Sequence, residues 1–194
     1  SERVSKIDQY KSEKPIATYF VSSADEFVSS GPNWPIWRWQ NQWQALTEVI
    51  PVLKELGYHV IIKQHPNLLN KSWQEAARTN ALTNSYGVTT IDALEKIPAS
   101  KLIANSNIVL TWGSTVGVES IAMGTPVWLL SHCHYDSSID IRMWPRSAHP
   151  KPEELEYAPD RLSAFEYFGH INSLGYSLES VSYTHLTLPT TPYV

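Results

Sequence analysis

Gly113-Ser114-Thr115-Val116-Gly117, with Glu119 just beyond, has the residue types and spacing of a site that holds an anion. Apolar runs at residues 107–112 and 126–130 flank the segment, so it reads as strand, turn, helix, strand. Gly113 lets the chain leave a buried strand sharply. Ser114 or Thr115 can cap the helix, and N–H groups of its first turn point outward. A helix N-terminus carries about half a unit of positive partial charge, which favours phosphate. Gly117 keeps the turn open to close approach. Glu119 lies one turn from Thr115, where a carboxylate can accept both hydroxyls of a ribose. Phosphate and ribose together describe a nucleotide.

Two other chemistries share this pattern. A Walker loop needs a lysine after its second glycine, and none stands there. A nucleophile elbow has the same glycines, with Thr115 here in the nucleophile position and His132, His134 or His149 as base. An esterase-like α/β hydrolase is therefore the alternative of another class. Further polar residues follow other apolar runs and are candidate ligand contacts: Ser22 and Ser23, His65, Asp92, the Ser131–His134 segment, and Tyr135 with Asp136. Asp25 and Glu26 either charge a short helix N-terminus or act in acid/base catalysis. Lys63, Arg142 and Arg146 are candidate phosphate neutralisers. Trp34 and Trp37 are candidate pocket aromatics, whereas Trp39 and Trp43 fit an apolar helix face. His132 and His134 have metal-like spacing but no third ligand, so no metal site is expected.

The elements that must position these residues alternate. Strands are expected at residues 16–21, 58–63, 87–91, 107–112 and 126–130. Helices are expected at residues 38–56, 72–82 with Ser72 as N-cap, 99–106, 115–123 and 160–174. The stretch between the last strand and the last helix reads as irregular, with Pro145, Pro150, Pro152 and Pro159. Such alternation predicts an α/β fold, a Rossmann-like doubly wound parallel sheet with right-handed crossovers. In an open parallel sheet, ligands bind outside the carboxyl ends of the strands, so these polar residues should share one edge.

Composition sets outer bounds. The 194 residues, 42% hydrophobic and 18% charged, suit one domain or one lobe of something larger. A net charge of −4 gives no general attraction to nucleic acid, so phosphate recognition must be local. The single cysteine, Cys133, excludes an internal disulfide and fits a cytoplasmic setting. No apolar stretch approaches the roughly 20 residues of a membrane span; attachment to the inner membrane would be peripheral. Residues 1–15 read as an inter-domain linker. Residues 181–194 resemble a translated adaptor sequence, a non-native tail, with a genuine edge strand as the alternative.

The segment "VESIAMGTPV" resembles the E-A-x-x-x-G-x-P-V stretch in the carboxy-terminal lobe of GT-B glycosyltransferases. "VIIKQHPN", "TWGSTVGVE" and "SSADEF" together resemble bacterial capsule and surface-polysaccharide transferases, including CDP-glycerol glycerophosphotransferases and bacterial sialyl- and Kdo-transferases. The likeness spans residues 16–176. It implies one lobe of a two-lobe GT-B architecture that binds a nucleotide-activated sugar and transfers the sugar to a glycan acceptor, without a cofactor or metal. It further implies His65 as a catalytic contact to donor phosphate, Gly113, Ser114 and Thr115 as phosphate holders, and Glu119 as the ribose ligand. A missing N-terminal lobe would supply the acceptor site. Thr111 stands where many retaining enzymes carry another glutamate, which counts against that retaining subtype. A sugar-nucleotide epimerase, a glycerophosphotransferase and a non-catalytic nucleotide-binding module remain alternatives on the same architecture.

Overall fold

The computed structural model describes residue 10 and residues 12–22, 36–66 and 73–173. Six parallel strands form one sheet: β1 (Ile16–Phe20), β2 (His59–Lys63), β3 (Thr89–Ile91), β4 (Ile108–Thr111), β5 (Val127–Leu129) and β6 (Arg142–Met143). The helices are α1 (Gln42–Glu55), α2 (Trp73–Tyr86), α3 (Ala99–Ala104), α4 (Val116–Met123), α5 (Pro152–Leu155) and α6 (Arg161–Ser173). The strand order β3-β2-β1-β4-β5-β6 starts in the middle, runs outward, and returns to place β4 beside β1. This is the Rossmann-like doubly wound sheet that the alternating sequence predicts, with its switch point between β1 and β4.

β1 shows why the central strands read as unbroken apolar runs. It pairs with β2 and β4, both of its faces are covered, and all five of its residues are buried. Side chains alternate between two cores. Tyr19, Ile62 and Leu110 pack with Leu46, Ile50 and Leu53 of α1. Phe20, Ile61 and Val109 pack with Ile103 of α3 and with Val118 and Ile121 of α4. Trp39 and Trp43 lie in the first core, as expected, although Trp39 reaches it from the segment before α1 and not from a helix face. Helix α6 packs on α4, and Ala164 is fully buried in the second core.

Several boundaries differ from expectation. Helix α1 begins at Gln42, not Arg38, because the Asn41 Oδ1 accepts the N–H groups of Trp43 and Gln44 at 3.1 and 3.0 Å and sets the start. Helix α2 runs on to Tyr86 and stops at Gly87, whose φ of 59° is left-handed, so Gly87 ends the helix and does not open the strand expected at 87–91. The stretch expected to be irregular contains β6 and α5. A strand of two residues has no alternation to detect, yet Arg142 pairs with Trp128 and Met143 with Leu129. Ser23, Asp25, Glu26, Trp34, Ser72 and residues 181–194 lie outside the described residues.

Candidate functional site

The carboxyl ends of β1, β2 and β4 open onto a cleft of about 660 Å³. Each strand end contributes through its own chemistry. Phe20 and Val21 leave β1. Gln42 pins that end: its amide nitrogen donates to the Ser22 carbonyl at 2.9 Å, and its Oε1 accepts the Ser22 N–H at 3.1 Å and the Tyr19 hydroxyl at 2.8 Å. At the end of β2, Lys63, Gln64, His65 and Pro66 face the cleft. The Lys63 ammonium is buried and donates to the carbonyls of Asp92 and Glu95 at 2.7 and 3.0 Å. Burial lowers its pKa, while the charges of Glu95 and Asp92 oppose that shift. Lys63 thus ties the end of β2 to the turn after β3.

The β4–α4 turn supplies Ser114, Thr115 and Glu119. Gly113 adopts a φ of 131°, the sharp exit that a side chain would resist. The expected capping is replaced by a different device. The Thr111 hydroxyl oxygen, at the last position of β4, accepts the N–H groups of Gly113 and Ser114 at 3.3 and 3.0 Å. Thr115 occupies the N-cap position without a side-chain capping bond, and Ser114 Oγ reaches Val116 N only at 3.5 Å. Gly117 N donates to the Ser114 carbonyl at 2.9 Å. The N–H groups expected to greet an anion are therefore largely spent inside the turn. A ligand would meet the hydroxyls and the positive helix end instead.

Two expected site residues do other work. Tyr135 is fully buried, and its hydroxyl donates to the Ser114 carbonyl. It fills the space left by the missing side chain at Gly117, so that glycine admits Tyr135 rather than a ligand. Asp136 Oδ2 lies 2.6 Å from His132 Nδ1 and accepts the Cys133 N–H at 3.3 Å, knotting the loop after β5. Ser22 is fully buried and does not line the cleft.

Trp37, Arg142 and Arg146 are also elsewhere. Trp37 donates to the Trp144 carbonyl at 2.6 Å and carries the Arg146 guanidinium 4.2 Å above its ring. Arg142 lies 4.1 Å above the ring of Tyr157.

The structure brings His65, Ser114, Thr115 and Glu119 to one cleft. His134, a candidate base in the sequence, joins them, as do Tyr167, Phe168 and Ile171 of α6, which the sequence did not single out. The α6 residues have a helical signal, since Ala164, Tyr167, Phe168 and Ile171 recur on one face, but only the packing of α6 on α4 turns that face into a cleft wall. Among the described residues, no group of three or more His, Cys, Asp or Glu side chains is placed to hold a metal, and no helix is long and apolar enough to cross a membrane.

No protein-family model and no curated protein matches the chain. Among solved structures it is similar to Thermosulfurimonas dismutans KpsC, described as a beta Kdo 2,7 transferase, at 17% identity and a TM-score of 0.50 over 88% of this chain and 59% of that one. A second structure from that organism, described as KpsC, beta Kdo 2,4 transferase, matches at 16% identity and a TM-score of 0.48, over 80% of this chain and 44% of that one. The wall teichoic acid polymerase TagF matches at 17% identity and a TM-score of 0.45, over 84% of this chain and 38% of that one. The chain thus spans 44% and 59% of the two Kdo transferase chains. At 17% identity the likeness to the 2,7 transferase is one of fold.

Proposed function

We propose that this chain is the donor-binding lobe of a glycosyltransferase that takes a sugar from a nucleotide-activated donor and adds it to a bacterial surface polysaccharide. The observation that carries the reading is the convergence of His65, Ser114, Thr115 and Glu119 on one cleft at the sheet's switch point. Glu119 accepts the ribose hydroxyls. The hydroxyls of Ser114 and Thr115, with the N-terminal end of α4, hold the donor phosphate. His65, at the end of β2, stabilises the charge that develops on phosphate as the glycosidic bond breaks. Imidazole and helix dipole carry that stabilisation, and no metal takes part. The acceptor and its base belong to a second lobe.

The hydrolase alternative fares worse. Thr115 has φ −55° and ψ −18°, ordinary helical values, where an elbow nucleophile sits on a strained turn. Titrating the chain with CMP, CDP, UDP and GDP tests the binding claim. Glu119→Ala should weaken the preferred nucleotide about 10- to 100-fold, the worth of hydrogen bonds to a charged group. In the full-length enzyme, His65→Ala should lower kcat more than it raises KM. Normal transfer activity in both variants would overturn the assignment.

A further inference from the structure

The cleft has chemically different walls. The turn after β4 and the end of β2 bring hydroxyls, a carboxylate and an imidazole, whereas α6 brings only Tyr167, Phe168 and Ile171. The aromatic side is built, not incidental. The Tyr167 ring lies 6.2 Å from that of Tyr135 at 67° and 6.3 Å from that of Phe168 at 58°, and the His134 ring is 6.3 Å from Tyr167 at 41°. These separations lie in the range where aromatic rings attract one another. Tyr135 anchors the group to the phosphate-side turn through the Ser114 carbonyl, so the aromatic wall and the polar turn form one unit. Outward-facing residues of the same helix, Leu162 and Phe165, are 67% and 53% exposed, whereas Tyr167 and Phe168 are partly buried and pack against the second core.

We infer that Tyr167 and Phe168, with His134 at their edge, form a platform for the planar nucleobase of the donor; because the two rings are tilted by 58°, the base stacks on one and meets the other edge-on. This rests on the nucleotide reading and deepens it, because a nucleotide has an anionic end, a diol and a flat heteroaromatic ring, and the cleft offers a partner for each. A flat π-face accepts any base, so stacking here sets affinity, while the His134 ring supplies the polar contact that can tell one base edge from another. Burial lowers the His134 pKa, with the Asp136 charge opposing the shift, so at neutral pH the ring offers one donor and one acceptor.

The test compares CMP with ribose 5-phosphate on the full chain, by titration and by intermolecular NOEs. Phe168→Ala and Tyr167→Ala should each weaken CMP about 5- to 100-fold and leave ribose 5-phosphate unchanged, which also reports that the fold is intact. Phe168→Trp should retain CMP affinity, and NOEs should join the ring protons of Phe168 or Tyr167 to cytosine H5 and H6. Equal losses for CMP and ribose 5-phosphate, or NOEs to the ribose alone, would overturn the platform and leave the nucleotide reading standing. Binding of neither ligand by the unsubstituted chain would overturn the reading beneath it.

Discussion

An alanine at position 117 would set its Cβ 2.7 Å from the Tyr135 hydroxyl, closer than real contacts allow, and a tight 3.3 Å from two atoms of that ring. Tyr135 cannot simply move aside, because it is fully buried and its hydroxyl holds the Ser114 carbonyl. Gly117→Ala should therefore destabilise the fold by about 1–2 kcal/mol, since overpacking of about 1–3 kcal/mol exceeds the helix-propensity gain of up to ~1 kcal/mol. Adding Tyr135→Phe removes the colliding oxygen, so urea midpoints of the double variant should show a smaller loss than the two single losses combined; simple additivity would refute the contact. This pair also marks what the sequence could not display. A glycine in the first turn of a helix after a strand suggests ligand access, and a tyrosine after the next strand suggests the same. Only tertiary packing reveals that each occupies the other's space. His65 and Glu119 were legible because their strand and helix positions alone bring them to the carboxyl edge.

Helix α1 carries Pro51 in its interior, where the ring removes the N–H that would have bonded the Thr47 carbonyl one turn earlier. The Tyr86 hydroxyl, from the last residue of α2, donates to that carbonyl at 3.3 Å. The neighbouring helix thus supplies the missing donor. Tyr86→Phe should cost about 0.5–1.5 kcal/mol in the presence of Pro51, the net worth of an ordinary hydrogen bond. In a Pro51→Ala background the helix supplies its own N–H, and the same substitution should cost close to nothing. Chemical denaturation of the four variants measures this, and an equal cost in both backgrounds would show that Tyr86 acts otherwise. Sequence periodicity revealed α1 despite its proline, because the tryptophan and leucine spacing spans several turns. It misplaced the start, since nothing in the apolar spacing of residues 38–41 opposes a helix and only the Asn41 cap fixes where it begins. β6 was invisible for a different reason: its two residues exist as a strand only through pairing with β5.

Across the protein, global and local charge make opposite predictions about acidification. The net charge is −4 at pH 7 and the pI is about 6.0, so lowering the pH from 7.5 toward 6 reduces self-repulsion, and on that ground alone stability should hold or rise. Two histidines at separate places oppose this. Burial lowers the pKa of His59, helped by the Lys14 and Lys54 charges, and burial lowers that of His134 against the Asp136 charge. Between the ordinary value near 6.5 and the lower folded value, the unfolded chain binds protons that the native state refuses. The stabilisation from the neutral rings is therefore fully present above the unfolded pKa and is lost as the pH falls through the folded one. One proton per ring sets a ceiling of about 1.4 kcal/mol per pH unit, and solvent screening at the exposed His134 keeps its share well below that. Urea unfolding at pH 7.5 and 5.5 should show a lower midpoint at the acid value with an unchanged m-value. Replacing both rings, His59→Gln with His134→Gln, should flatten the dependence. A midpoint that rises on acidification would mean that net charge, not these two imidazoles, governs how the protein responds to pH.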